Sequence, residues 1–264
     1  MGPNRHQTPQ FQGIRWISTT LILIVALGGA GPATGNADSS DRITRTLSWH
    51  AGVQIWLEAT IADLTVTGSD RSDIAVEVVR DAPLPSDLAK YPVVIEERSD
   101  GLHIVNIQGA DERDPKLKAA MTINAPANAA FAAIRVFEGR VTLTNLRDAC
   151  DVDLRRGPIR AHRLAGRIRL ETGIGNLSVD DSELTPGGMM RLRVFNGLLQ
   201  VRFPRRPGNA RILAVTLNGT ITSDLPLTRA DKFGPRFAEA TIGSGDPVMS
   251  LDVVKGDIKI TAAR

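Results

Sequence analysis

A short pattern of apolar and polar positions around single glycines recurs along the chain. Around Gly175 the apolar residues stand seven and five positions before the glycine and two and four positions after it: Ile168, Leu170, Leu177 and Val179. Most of the residues between them are polar. Such alternation is typical of a strand with one buried face, so each copy predicts two short strands joined at a glycine.

Six glycines carry this pattern: Gly139, Gly157, Gly175, Gly197, Gly219 and Gly256. In a seventh copy Ala62 replaces the glycine. Of the 28 apolar positions in the seven copies only Ser223 is polar, whereas a 42% hydrophobic content would fill about 12 by chance. Glycine suits such a corner because it tolerates positive φ. A phosphate-binding Gly-x-Gly loop at residues 173–175 is not favoured, since the glycines lead into a strand-like segment rather than a helix.

The spacing of the glycines predicts an all-β fold of stacked repeats. The first five glycines are separated by 18, 18, 22 and 22 residues. Repeats of this length cannot bury their apolar face alone, and stacking them builds a continuous core. A β-sandwich is the alternative, but the constant phase of the apolar positions favours a β-solenoid. In that fold Ile168 stacks over Cys150 and Leu170 over Val152.

Three stretches interrupt the repeats. Pro92–Ile107 contains two alternating segments around Ser99-Asp100-Gly101, and it predicts an inserted β-hairpin. Ala110–Lys118 is interpreted as a charged loop. Pro226–Pro247 is expected to form a long loop or a cap, which the open end of a solenoid requires.

The N-terminal segment differs in kind from the rest. Arg5 and Arg15 precede the uncharged run Ile17–Ala30, and small residues follow. This order is typical of a secretory signal peptide in residues 1–37, cleaved after residue 30 or 37, since a membrane-spanning helix needs about 20 apolar residues. An uncleaved N-terminal anchor is the alternative. Residues 38–264 are predicted to form a single exported domain, at the periplasm, the cell surface or outside the cell.

Charge, cysteine and histidine content narrow the chemistry. The chain has 32 basic and 29 acidic residues, and without residues 1–37, which hold two arginines and no acid, the net charge falls to +1. Cys150 is the only cysteine, so an intrachain disulfide is excluded, and its apolar position predicts a buried thiol. His50, His103 and His162 have no second ligand at metal-binding spacing. We therefore expect no metal and no cofactor.

The chain resembles the bacterial "putative adhesin" family of exported β-strand-repeat proteins. The resemblance runs from about Ser48 to Ile260. It is carried by the glycine-centred pattern and by the segments VVIEERSDGLHIVNI, INAPANAAFAAIRVFEGRVTLTNL and FGPRFAEATIGSGDPVMSLDVVKGDIKI. The resemblance implies a right-handed β-solenoid outside the cytoplasm, without enzymatic chemistry and without catalytic residues to carry over.

A run of basic residues is the strongest local charge feature. It holds Arg155, Arg160, His162, Arg163, Arg167 and Arg169, and no acid lies among them. We interpret the run as a candidate surface for an acidic envelope polymer or another envelope protein. The competing interpretation is a solvated sheet face whose charges pair across strands. Nucleic acid is not expected, because aromatic residues make up only 4% of the chain. Membrane contact is expected only through an uncleaved N-terminal segment.

Asp153 and Glu171 keep an enzyme hypothesis open. They occupy the same position in successive repeats, where two carboxylates could serve a polysaccharide-active β-helix enzyme. The stacking also places Arg169 and Arg193 beside them, which leaves no obvious proton donor. The sequence therefore favours a non-catalytic binding module of the cell envelope, with the enzyme and a purely structural protein as alternatives.

Overall fold

The computed structural model describes residues 39–108, 117–230 and 235–263, and β-strands dominate them. The predicted signal peptide or anchor in residues 1–37, and most of the charged loop in 110–118, lie outside the described residues. The division between residues 37 and 38 thus remains a prediction. The all-β fold class is confirmed, with every strand in one continuous hydrogen-bonded sheet.

The described residues form 19 strands and one six-residue helix. In chain order these are β1 (Ser39–Ser48), β2 (Gln54–Ser69), β3 (Asp73–Ala82), α1 (Pro85–Lys90), β4 (Val94–Arg98), β5 (Gly101–Asn106), β6 (Lys118–Pro126), β7 (Ala130–Thr144), β8 (Cys150–Arg156), β9 (Ile159–His162), β10 (Arg167–Ile174), β11 (Leu177–Asp180), β12 (Met189–Asn196), β13 (Leu199–Phe203), β14 (Ala210–Asn218), β15 (Ile221–Ser223), β16 (Thr228–Ala230), β17 (Arg236–Ile242), β18 (Val248–Lys255) and β19 (Ile258–Ala262).

The predicted repeats are rungs of a parallel ladder. Each rung has a first strand, a corner glycine and a second strand, as in β10 and β11 around Gly175. The phase is as predicted: Ile168 pairs with Cys150 and Leu170 with Val152. Because each rung repeats the same alternation, one side of its strands faces a common apolar core.

The order of the rungs in space departs from their order in the chain. From β2 the ladder runs through β7, β8/β9, β10/β11 and β12/β13. The next rung is the last one of the chain, β18/β19, and β14/β15 lies beyond it. The last two rungs of the chain have therefore exchanged places in the ladder. One edge of β14 pairs with β18, and its other edge pairs with the antiparallel strand β17, which also pairs with β16. The Pro226–Pro247 segment, expected as a loop or cap, thus covers the end of the ladder with strands.

The opposite end of the ladder is built from antiparallel strands. β1 pairs with β3 and β3 with β6, and β6 runs parallel to the second half of β2. The predicted hairpin is confirmed as β4 and β5. Arg80, which is buried on β3, joins this end together: its guanidinium group donates to both carboxylate oxygens of Asp41 on β1 and to the main-chain carbonyl of Tyr91 after α1.

The core differs from the sequence prediction in two ways: one rung buries a different residue, and each rung has one more inward position than the pattern predicts. In β7, Phe131 rather than Ala132 faces inward, because a β-bulge shifts the register there. A further inward position lies three residues before each glycine. It holds two buried threonines, and the hydroxyls of Thr172 and Thr216 donate to the carbonyls of the neighbouring corner glycines, at 2.9 and 2.8 Å. Apolar alternation could not reveal polar residues at a buried position.

The corner glycines line up along one edge of the ladder, which we call the glycine ridge. A Cβ atom added at Gly175 would lie 2.0 Å from the carbonyl oxygen of Gly157, and one at Gly157 would lie 1.7 Å from that of Gly139. Contacts this short are impossible for a side chain. The close approach of successive rungs therefore requires glycine at the corner. A second reason is the positive φ of the corner residue, +154° at Gly175, which other residues rarely adopt.

Candidate binding surface

The first strands of the rungs present an outward surface that we call the charged face. Its residues come from β7, β8, β10, β12 and β18 in register. The members are Arg135, Asp151, Asp153, Arg169, Glu171, Arg191, Arg193 and Asp252. The register places some opposite charges side by side, such as Arg135 with Asp153 and Glu171 with Arg193. It also pairs like charges, Asp153 with Glu171 and Arg169 with Arg191.

Ion pairs connect this face across four strands. Asp151 accepts from Arg135 at 2.7 Å on one side and from Arg169 at 3.2 Å on the other. Arg169 also donates to Glu171 at 3.0 Å, and Glu171 lies 4.0 Å from Arg193. The hydrogen bond to Asp151 raises the pKa of Arg169, burial opposes the shift, and the charges of Asp151, Glu171 and Asp153 reinforce it. These polar groups are largely satisfied by one another.

The two acids of the enzyme hypothesis lie on this face. Asp153 and Glu171 are partners on adjacent strands. Glu171 bridges Arg169 and Arg193, so it serves as an ion-pair partner, whereas a glycosidase needs one carboxyl group that donates a proton. The arrangement is that of a paired sheet surface.

The second strands present a different surface, which we call the hydroxyl face. Together with β1, β3 and β6 they make ten adjacent strands. The hydroxyl residues that point outward from it include Thr44, Thr46, Thr65, Thr67, Thr122, Thr142, Thr144, Ser178, Thr222 and Thr261. Neighbouring hydroxyls are spaced by about 4.8 Å between strands and about 6.7 Å along a strand.

Most of these hydroxyls are free. Of the hydroxyls just named, only that of Thr222 donates a hydrogen bond within the described residues, a long one of 3.4 Å to the carbonyl of Ile258. A hydroxyl offers one donor and two acceptor positions, so an ordered array of them can bind a polymer rich in oxygen. The sequence signal for this face is the repeated Thr-x-Thr triplet at residues 44–46, 65–67 and 142–144, which lies outside the predicted basic run.

Three cations on the hydroxyl face, Lys118, Arg160 and Lys259, have no acid partner in the described parts of the chain. Arg160 on β9 and Lys259 on β19 are exposed and occupy one row, separated by Ser178 and Gln200. Three strand spacings place them about 14 Å apart. Arg202, by contrast, pairs with Asp180 at 3.3 Å.

The structure divides the predicted basic run between surfaces. Arg167 and Arg169 lie on the first strand β10, and Arg160 and His162 on the second strand β9. Arg155 stands at the glycine ridge. Arg163 follows β9 with a φ of +53°, and His162 lies 3.6 Å from Asp181. The six residues therefore do not form one continuous patch, and only Arg160 and His162 share the hydroxyl face.

Other candidate chemistries find little support. Cys150 is buried, as predicted, and burial raises the pKa of its thiol to about 12. His103 donates a 2.9 Å hydrogen bond to the carboxylate of Asp100 and stacks on Trp56. In the part of the chain that the structure covers, no three His, Cys, Asp or Glu side chains are grouped to hold a metal. Nor does a helix there have the length and apolarity to cross a membrane.

Comparison with known proteins gives likenesses of structure alone. No protein-family model matches the chain, and neither does any curated protein. A putative cell adhesion protein from Clostridium sporogenes is 9% identical, with 85% of this chain and 100% of the other covered and a TM-score of 0.45. A putative adhesin from Bacteroides fragilis is 10% identical, the match covers 89% of this chain and 100% of the other, and the TM-score is 0.28. A putative lipid binding protein from Parabacteroides distasonis is 11% identical, the match covers 84% of this chain and 97% of the other, and the TM-score is 0.24.

Proposed function

We propose that this chain, whose structural neighbours bear the adhesin names that its sequence resemblance suggested, is a non-catalytic binding module of the cell envelope. In this proposal the ladder is a right-handed β-solenoid, the module is exported, and the hydroxyl face binds an extended acidic polymer. One observation carries the binding role: an ordered face of largely unpartnered hydroxyls that also holds the unpaired cations Arg160 and Lys259 in one row.

The chemistry of the face favours an acidic polymer over a compact ligand. Its polar groups extend over ten strands, so a chain lying across the rungs meets a polar group on each successive strand, such as Thr142, Arg160, Ser178 and Gln200. Arg160 and Lys259 supply the attraction for anionic groups, and Ser178, Gln200 and the neighbouring hydroxyls supply hydrogen bonds. The charged face is less suited to this role because its arginines already hold acids.

Heparin affinity measurements on the full chain test the proposal. The double variant Arg160→Glu, Lys259→Glu should bind heparin more weakly, and the slope of log affinity against log salt should fall by about two, one for each lost contact. Uncharged dextran should show no salt-dependent binding, because it offers no anionic group.

The matched control reverses the same number of charges elsewhere. Arg167→Glu, Arg191→Glu alters two exposed cations of the first strands. It should leave heparin affinity nearly unchanged. Equal losses in both double variants would assign binding to net charge alone, and an unchanged affinity in the Arg160, Lys259 variant would remove the hydroxyl face from the proposal.

A further inference from the structure

The glycine ridge carries an unusual row of exposed apolar side chains. Among the described residues seven large hydrophobic side chains are exposed, and four of them stand one or two positions before a corner glycine. They are Phe137 (48% exposed), Ile174 (54%), Phe195 (60%) and Leu217 (49%). The four belong to β7, β10, β12 and β14, so the ladder brings together residues distant in the chain. Exposed apolar rows of this kind mark interaction sites.

Cations are interleaved with these apolar residues. Arg155 and Arg156 precede Gly157, and Lys255 precedes Gly256. The Arg156 guanidinium carbon lies 5.8 Å from the centre of the Phe137 ring, and Arg156 is also the strand partner of Ile174. Apolar side chains with cations at their flanks are the composition of protein segments that lie in the interface of an anionic bilayer.

The acids near the ridge offset these cations only in part. Asp63 lies 3.8 Å from Arg140, and Asp257 accepts from both the main-chain nitrogen and the hydroxyl of Thr220. Glu138 neighbours Arg156 on the adjacent strand. Arg155 and Lys255 form no ion pair within the described residues, so they are available to anionic headgroups.

The backbone at the ridge is already satisfied. Gly157 donates to the carbonyl of Ile174 at 2.8 Å, Gly175 to Asn196 at 3.0 Å and Gly197 to Lys255 at 3.0 Å. The hydrocarbon region of a bilayer cannot solvate unpaired amides, so this pairing lowers the free-energy cost of placing the ridge at the acyl boundary. It also excludes strand addition at the ridge as a mode of protein binding, because these amides are already engaged.

We infer that the glycine ridge is a membrane-contact edge that rests on an anionic lipid bilayer. Six rungs give it a length of about 24 Å. The apolar side chains enter the headgroup and acyl boundary, while Arg155, Arg156 and Lys255 meet phosphate groups. This contact is additional to the one expected from the N-terminal segment. It is independent of the polymer site, because the ridge separates the two faces and leaves the hydroxyl face open.

A fluorescent label can report contact at the ridge separately from the N-terminal segment. Phe195→Cys introduces an exposed thiol, whereas Cys150 is buried with a pKa of about 12 and should not react in the folded protein. The full chain is labelled there with an environment-sensitive nitrobenzoxadiazole dye. Thr142→Cys, labelled in the same way, is the matched control on the hydroxyl face.

Vesicles of phosphatidylcholine mixed with phosphatidylglycerol should shift the emission of the residue 195 label to the blue and leave the residue 142 label unchanged. Phosphatidylcholine alone should give a weaker shift. In unlabelled protein, Phe195→Ser with Leu217→Ser should lower partitioning into the mixed vesicles about tenfold.

Three results would overturn the inference. They are an unshifted label at residue 195, equal shifts at residues 195 and 142, and a shift that appears without vesicles as protein concentration rises. The last would assign the ridge to self-association. Heparin binding is measured without lipid, so failure of the ridge experiment leaves the polymer proposal standing, and the reverse also holds.

Discussion

The charged face and the hydroxyl face are built on the same rungs and have the same spacing, but the first is connected by ion pairs whereas most hydroxyls of the second have no partner in the described residues. On the charged face Asp151 joins Arg135 and Arg169, and Glu171 continues the connection to Arg193. On the hydroxyl face nearly all hydroxyls lack a partner in the described part of the chain. A surface that satisfies its own polar groups contributes to stability, whereas one that leaves them free is suited to a ligand.

The difference also shows why charge density along the chain is a poor guide to a site. Residues 155–169 are the most basic stretch, but they are divided among β8, β9 and β10, so their side chains belong to different surfaces. Arg169, within the run, is engaged by Asp151 and Glu171. Arg160 and Lys259 are nearly a hundred positions apart in the sequence, and the ladder places them in one row.

Removing a corner glycine should disrupt both faces and give the largest effect. In Gly175→Ala the new Cβ meets the Gly157 carbonyl at 2.0 Å, so the rungs must separate. We expect a loss of about 3 kcal/mol or more in the free energy of unfolding, measured by urea denaturation.

Gly208→Ala is the control for this substitution. A Cβ there meets nothing within 4 Å, so stability should be nearly unchanged. If Gly175→Ala were as stable as the control, the close approach of the rungs could not be what aligns the two faces.

Much of the ladder could be predicted from the sequence because its signals are local. Strand alternation and the glycine corner lie within twelve residues, and they predicted the pairing of Leu170 with Val152. The exchange of β18/β19 with β14/β15 could not be predicted, since both rungs carry the same apolar pattern and fit either place. The pattern around Gly139 predicted Ala132 instead of Phe131 as the inward residue, because strict alternation does not allow for the extra residue of a β-bulge.

The candidate site was less predictable than the fold for a related reason. The sequence identifies which residues face outward, but partnership depends on the neighbouring strands. Thr142 and Asp151 are both outward polar residues, and only the register shows that Asp151 has two arginine partners while Thr142 has none in the described residues. Surface chemistry of a ladder is therefore a property of adjacent rungs.

Replacing Asp151, the central acid of the charged face, should lower the stability of the protein less than Gly175→Ala does. Asp151→Ala removes the common partner of Arg135 and Arg169, and it leaves two like charges on strands either side. All three side chains are 31 to 41% exposed, so solvent screening limits the expected loss to about 1 kcal/mol.

Thermal melting at low and high salt measures this effect. The difference between Asp151→Ala and wild type should shrink as salt rises, because screening already weakens the ion pairs in the wild type. Ser178→Ala on the hydroxyl face is the control and should melt like wild type at both concentrations. A larger loss for Ser178→Ala than for Asp151→Ala would reverse the assignment of the two faces.

The smallest effect on stability is expected on the hydroxyl face, where it should be accompanied by a loss of binding. Thr142→Val with Thr144→Val keeps the β-branched shape and removes two hydroxyls that have no partner in the described residues. Stability should stay within about 0.5 kcal/mol of wild type, while heparin affinity should fall about threefold for each lost hydrogen bond. Thr142→Ser with Thr144→Ser retains the hydroxyls and should bind as wild type does. If the valine variant kept full affinity, Arg160 and Lys259 would bind the polymer without help from the hydroxyl array, and the regular spacing of the threonines would reflect strand geometry alone.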